Sequence, residues 1–317
     1  MSTRPPILVG AGFALFATML FSINDSLIKF LAGDYALHQV VFVRSVAGIA
    51  LLGLVIIPLR GGFAEIRTRR LKLHIFRGLC VVWANLFFYM ALAELKLAEV
   101  VGIFFVAPFL ITIGSVVFLK EQVGPQRWAA VAIGFLGVLF IVKPGTDAFR
   151  AVAILPVLAA IGYAAFHIMT RRLAQSETIV SLTFYPPLVF VVISAIIGLA
   201  LGHGAYAQGD GALGFVTRAW AWPTVGDFAV MVLIGVGVTF GGASISQAYR
   251  TSEAAMIAPF EYLAMIFAAL FGWVFFDEWP DPWAWAGIAL ILASGIFMIW
   301  REAVNAQPRV APPNAPR

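Results

Sequence analysis

Polar and charged side chains inside long apolar stretches are the residues of this sequence that could do chemistry. The stretch at 7–32 contains Asn24, Asp25 and Lys29. Asp25 and Lys29 are four residues apart, so a helix would place them on one face, where they could pair with each other. Such a polar face could bind a zwitterionic or hydrogen-bonding solute, or it could be a self-neutralised pair with no further role.

Glu261 is the most isolated of these charges. It lies about nine residues into a helix predicted at 252–276, with Met265, Ala268 and Gly272 on the same face. An ionised group at this depth in lipid costs about 2.5–3.5 kcal/mol, so its presence needs a reason. Glu261 could contact the solute or take up a proton, and the alternative is a permanently protonated acid bonded to a neighbouring helix. Tyr262 could line the same region with an aromatic surface.

Two arginines lie near the ends of apolar stretches. Arg44 is about six residues into the second stretch, and Arg77 is about four residues into the third. A guanidinium in a cavity attracts carboxylate or phosphate groups. The alternative is that each long side chain reaches back to water, and a structural role is favoured for Arg77.

Further candidates are neutral. His167 shares a face with Tyr163, and Asn85 shares a face with Tyr89, so these groups could stack on or hydrogen-bond to a flat solute. Packing is the alternative for each. The four histidines and the single cysteine, Cys80, have no metal-ligand spacing, so no metal and no cofactor are expected.

Composition identifies the surroundings of these residues. Of the 317 residues, 62% are hydrophobic and 12% are charged, about half the charged fraction of a soluble domain. This excludes a cytosolic enzyme, a disordered chain and a nucleic-acid reader, and it predicts an all-α polytopic protein in a lipid bilayer. Ten transmembrane helices are predicted at 7–32, 38–60, 73–93, 96–119, 126–143, 151–170, 180–201, 224–248, 252–276 and 282–300.

The basic residues orient these spans. With the N-terminus inside, 14 Lys and Arg residues fall on the inner side and four on the outer side. The excess of Lys and Arg on the cytoplasmic side predicts a multi-pass inner-membrane protein with both termini cytoplasmic. The stretch at 202–223 is then a long outer loop, and the proline-rich tail 305–317 is predicted to be disordered.

The two halves of the chain resemble each other. Glu121 and Glu278 are 157 residues apart, as are Trp128 and Trp285. Five spans per half would invert the second copy, a device of secondary transporters. The predicted units are 1–147, 148–304 and the tail. Pro108 and Pro259 are predicted to kink their helices.

Three sequence runs carry a resemblance to a known family: AELKLAEVVGIFFVAPF, LKEQVGPQRWAAVAIGFLGVLFIVKPG and SEAAMIAPFEYLAMIFAALFGWVFFDEWPDPWAWAGIALILASG. With Arg44 and Phe88–Leu92, they resemble the paired EamA repeats of the drug/metabolite transporter superfamily. The resemblance implies ten helices in two inverted repeats, a central cavity, alternating access and no enzyme activity. Within that superfamily the sequence is similar to bacterial carriers for S-adenosylmethionine or riboflavin.

Transport of a small organic metabolite is therefore the leading hypothesis, with amino-acid-like solutes among the candidates and with proton or ion coupling left open. A facilitative channel-like exporter and a membrane-embedded lipid enzyme are the alternatives. The enzyme is disfavoured because no nucleophile motif accompanies the scattered histidines, and no phosphate loop is present to hydrolyse ATP. Either a monomer or a homodimer is compatible with the sequence.

Overall fold

The computed structural model describes residues 6–59, 62–120, 124–144, 150–173, 176–251 and 262–306. Glu261 and Pro259, two of the residues singled out above, lie outside these ranges. So does the predicted boundary between the two halves at 147 and 148. Within the described residues the secondary structure is helical.

The helices of the first half begin and end as follows: α1 Pro6–Leu31, α2 Leu37–Leu51, α3 Ile57–Leu59, α4 Leu71–Leu92, α5 Leu97–Phe104, α6 Ala107–Leu119 and α7 Pro125–Val142. A π-helical segment, Leu52–Ile56, joins α2 to α3.

The helices of the second half are α8 Ile154–Leu173, α9 Ile179–Leu201, α10 Gly211–Thr217, α11 Val225–Thr251, α12 Leu263–Phe276 and α13 Pro282–Ala306. The described chain contains seven helical stretches long and apolar enough to cross a membrane. Two of them combine neighbouring elements: Leu37–Leu59 covers α2 and α3, and Leu97–Leu119 covers α5 and α6. Three shorter apolar helices, at Trp128–Val142, Leu263–Phe276 and Pro282–Phe297, coincide with three further predicted spans. The total of ten spans stays a prediction.

Pro108 interrupts the fourth predicted span. Residues 105 and 106 form a turn between α5 and α6, and Pro108 lies in the first turn of α6. A proline is tolerated there because the first N–H groups of a helix have no partner inside that helix. The turn at residues 105 and 106 therefore lies next to Pro108, and the kink itself stays a prediction.

Helical structure also extends into two segments that the sequence predicts to be a loop and a tail. The predicted outer loop 202–223 contains a short helix, α10, with Phe215 fully buried. The last helix continues to Ala306, past the predicted start of the tail at 305.

The packing of the helices repeats between the halves. Helix α1 packs against α11 as α8 packs against α4, and α2 contacts α11 as α9 contacts α4. The pairs α2–α9 and α7–α13 map onto themselves when the halves are exchanged, and α6 contacts α8 as α12 contacts α1. The described helices therefore follow the two-fold packing expected of two repeats.

One set of loops shows the inversion directly. Lys29, near the end of α1, and Arg150, just before α8, both bond to the loop between α4 and α5, at Leu95 and Glu94. Thus α1 ends and α8 begins at the same side of the bundle. This side, with residues 32–36, 93–96 and 277–281, is called the loop-93 face. The opposite side, with residues 62–70 and 176–178, is called the loop-62 face.

The loop-62 face is held by a buried carboxylate. Glu177, with 6% of its side chain exposed, accepts hydrogen bonds from Thr68 at 2.8 Å and Ser181 at 3.2 Å, and it lies 3.3 Å from Nε2 of His74. Burial pushes the pKa of this carboxyl upward, but the bonds from Thr68 and His74 outweigh it and leave the pKa below its usual value.

Candidate functional site

Arg44 is the centre of a polar cluster buried between α1, α2 and α4. The residue is 6% exposed. Its Nη1 donates to the hydroxyl of Tyr89 at 2.8 Å and to Oδ1 of Asn24 at 3.4 Å, and its Nη2 donates to Oδ1 of Asn85 at 2.9 Å. Each of these three acceptors is neutral, so the charge of Arg44 is solvated without being cancelled.

Two aromatic rings flank the same guanidinium. Its Cζ lies 5.1 Å from the ring centre of Tyr89 and 5.3 Å from that of Phe190 on α9. Cation–π contacts of this kind are worth about 0.5–2 kcal/mol each. The rings and the hydrogen bonds together hold the planar group in one orientation.

Asp25 carries the opposite charge and is linked to Arg44 through the side chain of Asn24. Its Oδ1 accepts a hydrogen bond from Nδ2 of Asn24 at 2.8 Å, while Oδ1 of Asn24 faces Arg44. Among the described residues, no ion pair within 4.0 Å joins Asp25 to Arg44. The amide of Asn24 therefore stands between a carboxylate and a guanidinium.

Lys29 does not pair with Asp25, so the pair drawn from their spacing is wrong. Its Nζ lies 2.7 Å from Oε1 of Glu278 and donates to the carbonyl of Leu95 at 2.6 Å. The flexible lysine chain extends toward the loop-93 face and away from Asp25, which is one turn deeper. Lys29 therefore belongs to a clasp that closes this face.

The clasp connects distant parts of the chain. Oε2 of Glu278 accepts a hydrogen bond from the backbone N–H of Leu97 at 3.0 Å, and Lys96 donates to the carbonyl of Trp279 at 2.8 Å. Lys143 and Asp281 add a second ion pair at 2.5 Å. These contacts tie the end of α1 to the starts of α5 and α13.

Gly235 allows α11 to pack closely against the backbone of α2 at Arg44. A Cβ atom on Gly235 would lie 2.1 Å from the carbonyl oxygen of Arg44. Only a glycine allows α11 to approach the α2 backbone this closely. Thr239, one turn further along α11, donates to the carbonyl of Gly235 at 2.9 Å and contacts Gly48 across the same crossing.

An apolar cleft adjoins the cluster. It lies between α2, α4, α9 and α10 and contains about 410 Å³ of empty space, counted to its open mouth. Asn85, Tyr89 and Phe190 line it, and these residues also contact Arg44. Leu86 and Ile193 are among its apolar walls. The cleft and the polar cluster therefore lie side by side and share these three residues.

Arg77 and His167 form a separate group toward the loop-62 face. Arg77 is 2% exposed, donates from Nη2 to the carbonyl of Leu182, and lies 4.9 Å over the ring of Phe166. His167 contacts the same ring at 5.4 Å and that of Tyr163 at 4.3 Å. Within the described chain, Nε and Nη1 of Arg77 and Nε2 of His167 are buried without a hydrogen-bond partner.

Tyr262 lies apart from the Arg44 cluster. It is 8% exposed and stacks on Phe105 at 5.1 Å, and a Cβ on Gly295 would lie 2.2 Å from its ring. This places its ring in a packed contact between α5, α12 and α13. Its proposed cavity partner, Glu261, lies outside the described residues.

The structure thus brings Asn24, Asp25, Arg44, Asn85 and Tyr89 together and separates Lys29, Arg77, His167 and Tyr262 from them. Sequence reasoning missed two participants. Glu278 enters the sequence analysis only as the repeat counterpart of Glu121, although an unpaired lysine within an apolar stretch is a signal that a carboxylate partner exists elsewhere. No pattern in the sequence distinguishes Phe190 from the other phenylalanines. In the described part of the chain, no three His, Cys, Asp or Glu residues are grouped to hold a metal ion.

Comparison with known proteins gives a consistent picture. The model of the EamA-like transporter family matches residues 8–143 and again residues 150–300. A riboflavin transporter of Rhizobium johnstonii is 29% identical, covering 93% of this chain and 92% of the relative. An S-adenosylmethionine uptake transporter of Rickettsia bellii is 26% identical, covering 93% and 94%. A pseudopaline exporter of Pseudomonas aeruginosa is 24% identical, covering 91% and 95%.

A solved structure, described only as the crystal structure of a protein, shares the fold. It matches with a TM-score of 0.64 at 18% identity, covering 94% of this chain and 98% of that chain.

Proposed function

The chain belongs to the EamA-like transporter family, and we propose that it is a secondary transporter that moves a small organic metabolite across the inner membrane by alternating access. Candidate substrates are S-adenosylmethionine, riboflavin and amino-acid-like solutes. The three relatives are named as transporters: one for riboflavin, one for the uptake of S-adenosylmethionine and one for the export of pseudopaline. They support the class of activity and leave the substrate and direction as proposals.

One observation carries the proposal: a cluster of opposite charges is buried inside a bundle whose helices pack with two-fold symmetry. Asp25 and Arg44 lie about 10 Å below the helix ends at the loop-93 face, at 1.5 Å per residue. Two repeats that can rock about such a site are the usual basis of alternating access. The clasp between Lys29 and Glu278 closes one entrance to it.

We further propose the sidedness of the bundle. The excess of Lys and Arg on one side assigns the loop-93 face to the outside and both termini to the cytoplasm. The two repeats correspond to residues 1–147 and 148–304. Reaction of single cysteines on the two faces of intact spheroplasts with an impermeant maleimide tests this assignment, and labelling of the loop-62 face alone would reverse it.

Uptake into proteoliposomes tests the function. Radiolabelled riboflavin, S-adenosylmethionine and amino acids are to be compared with and without a pH gradient. We expect saturable uptake of at least one solute, and its loss in Arg44→Gln but not in the control Arg150→Gln, whose side chain is 53% exposed. We also expect Asp25→Asn and Glu261→Gln to impair uptake without lowering expression.

Each outcome of this assay has a defined meaning. Uptake that rises with the pH gradient and fails in Glu261→Gln supports proton coupling. Saturable uptake that ignores every ion gradient indicates a facilitator or an exchanger. Linear uptake without saturation would contradict a carrier. Cross-linking in the bilayer decides between monomer and homodimer.

A further inference from the structure

We propose that Arg77 and His167 form a second binding site, for a small inorganic anion of the size of chloride, between α4, α8 and α9. The site is separate from the Arg44 cluster and does not depend on which solute the protein transports. Arg77 is six residues from the start of α4, and His167 is six residues from the end of α8. At 1.5 Å per residue, both lie about 9 Å from the helix ends at the loop-62 face.

Arg77 carries a buried positive charge that its contacts do not cancel. It is 2% exposed, its Nη2 donates to the carbonyl of Leu182, and its guanidinium lies 4.9 Å over the ring of Phe166. In the part of the chain that the structure describes, no ion pair within 4.0 Å includes Arg77. Its Nε and Nη1 are buried there without a hydrogen-bond partner. A buried cation without a counter-ion and a buried N–H without an acceptor are both costly, and an anion removes both costs.

His167 provides a further donor beside this guanidinium. Its ring contacts Phe166 at 5.4 Å, the same ring that Arg77 covers, and the charge of Arg77 acts on the imidazole. Its Nε2 is buried and, among the described residues, has no hydrogen-bond partner. A neutral imidazole can carry its N–H on either nitrogen, so Nε2 can donate to the anion that Arg77 binds.

The carboxylate on this face already has partners of its own. Glu177 accepts hydrogen bonds from Thr68 and Ser181 and lies 3.3 Å from Nε2 of His74, which is three residues before Arg77 on α4. His74 therefore has the contact with Glu177 that the guanidinium lacks. An anion from solution is left to serve as the counter-ion of Arg77.

Close helix packing limits the size of this anion. A Cβ on Gly78, the residue after Arg77, would lie 2.5 Å from Val189 on α9. A Cβ on Gly162 of α8 would lie 2.8 Å from the carbonyl oxygen of Cys80, about one turn further along α4. Because the three helices approach one another so closely here, the site suits a single-atom anion better than an organic carboxylate or phosphate.

The anion joins the two repeats. Helix α4 lies in the first match to the family model, whereas α8 and α9 lie in the second. Arg77 is already bonded to α9 through Leu182, and the anion links it to α8 through His167. A halide should therefore stabilise the folded protein.

Thermal melting in different salts tests the site. Purified protein in sodium gluconate is compared with protein in chloride, bromide or sulfate at the same ionic strength. We expect a rise in melting temperature of about two to four degrees at a halide concentration ten times the Kd, and no rise in sulfate. An equal rise in sulfate and chloride would show a general salt effect and overturn the site.

Line broadening of the chloride NMR signal measures binding directly, and the excess width should titrate away with bromide. Arg77→Met should lose both the broadening and the melting response. Arg44→Gln should keep both, and so should Arg150→Gln, whose side chain is 53% exposed. If Arg77→Met keeps the response or Arg44→Gln loses it, the anion binds elsewhere and the assignment fails.

A matched pair of variants at His167 is a milder test. His167→Leu removes the donor, whereas His167→Gln retains an N–H group. We expect halide binding about tenfold weaker in the first variant and less than threefold weaker in the second. Unchanged binding in His167→Leu would overturn the site, and this pair decides the question if Arg77→Met does not give folded protein by gel filtration.

The stability of Arg77→Met should also depend on the salt. In gluconate it should melt at or above the wild-type temperature, because the wild type then keeps an uncompensated buried charge. In chloride the wild type gains stability and the variant does not, so the difference between them narrows. A difference that widens in chloride would contradict the proposal.

Discussion

Breaking the clasp between Lys29 and Glu278 should open the loop-93 face. In Glu278→Gln, Lys29 keeps its bond to the carbonyl of Leu95 but loses its counter-ion. At 2.7 Å and an effective dielectric constant of about 20, the attraction is about 6 kcal/mol before desolvation. The side chains of Lys29 and Glu278 are 10% and 22% exposed, so screening by solvent offsets part of this attraction. Removing one partner of a buried pair costs about 3–5 kcal/mol.

The lower value already predicts a large effect. A loss of about 3 kcal/mol raises the population of the open form by about a hundredfold. The reporter is Ser26→Cys in a Cys80→Ala background. Ser26 is 4% exposed and bonds within its own helix, so the exchange is mild. Its rate of reaction with an impermeant maleimide, added from the loop-93 face, measures the opening.

The charge-reversed pair is the control. Lys29→Glu combined with Glu278→Lys should restore slow labelling toward the wild-type rate, because the attraction is re-formed across the same gap. Asp277→Asn, next to the clasp in sequence, should leave the rate unchanged. If Glu278→Gln labels as slowly as the wild type, the ion pair does not hold this face closed and the reasoning fails.

Three further predictions follow from the packing and the loops. Gly235→Ala should lower the melting temperature because its Cβ would lie 2.1 Å from a carbonyl oxygen, whereas Gly237→Ala, with nothing within 4 Å, should not; equal melting would contradict the close approach. Glu177 has a lowered pKa, so its stabilising contribution is present at neutral pH and is lost as the pH falls through that lowered value; in thermal melts from pH 7 to pH 3 the wild type should lose more stability than Glu177→Gln. Arg77→Met removes two buried N–H groups without partners, and its melting temperature should be unchanged or raised, while a fall of several degrees would show that the guanidinium is stabilising.

The long apolar helices were predictable because lipid imposes strong local rules. Apolar length identifies a helix that can cross the membrane, and a proline without an N–H interrupts it. The rule that intramembrane polar residues need a reason also selected Asn24, Asp25, Arg44, Asn85 and Tyr89, which the structure brings together. These signals act within one helix or on one residue at a time.

The partners were not predictable because they depend on which helices touch. The four-residue spacing puts Lys29 and Asp25 on one face of a helix. Spacing within one helix cannot reveal a carboxylate that lies in a loop far along the chain. Glu278 is nearer to water and within reach of the long lysine side chain, so the interhelical pair forms in preference to the local one. Phe190 became relevant only through the contact between α9 and α2.

The two halves share their packing but not their chemistry, and the proposed mechanism therefore places recognition and closure on one element. Helix α1 contains Asn24, Asp25 and Lys29, whereas its packing counterpart α8 presents Phe166 and His167 toward α4. Lys29 in the clasp is one helical turn, about 6 Å, from Asp25 in the cluster. A movement of α1 that changes one of these contacts must therefore change the other. Because a ligand can shift an equilibrium only by its differential affinity for the two states, a solute bound at Asp25, as proposed, would act on the clasp through α1 itself. In the proposed mechanism the first half would thus supply both the affinity and the closure, and the second half would supply the symmetrical framework against which α1 moves.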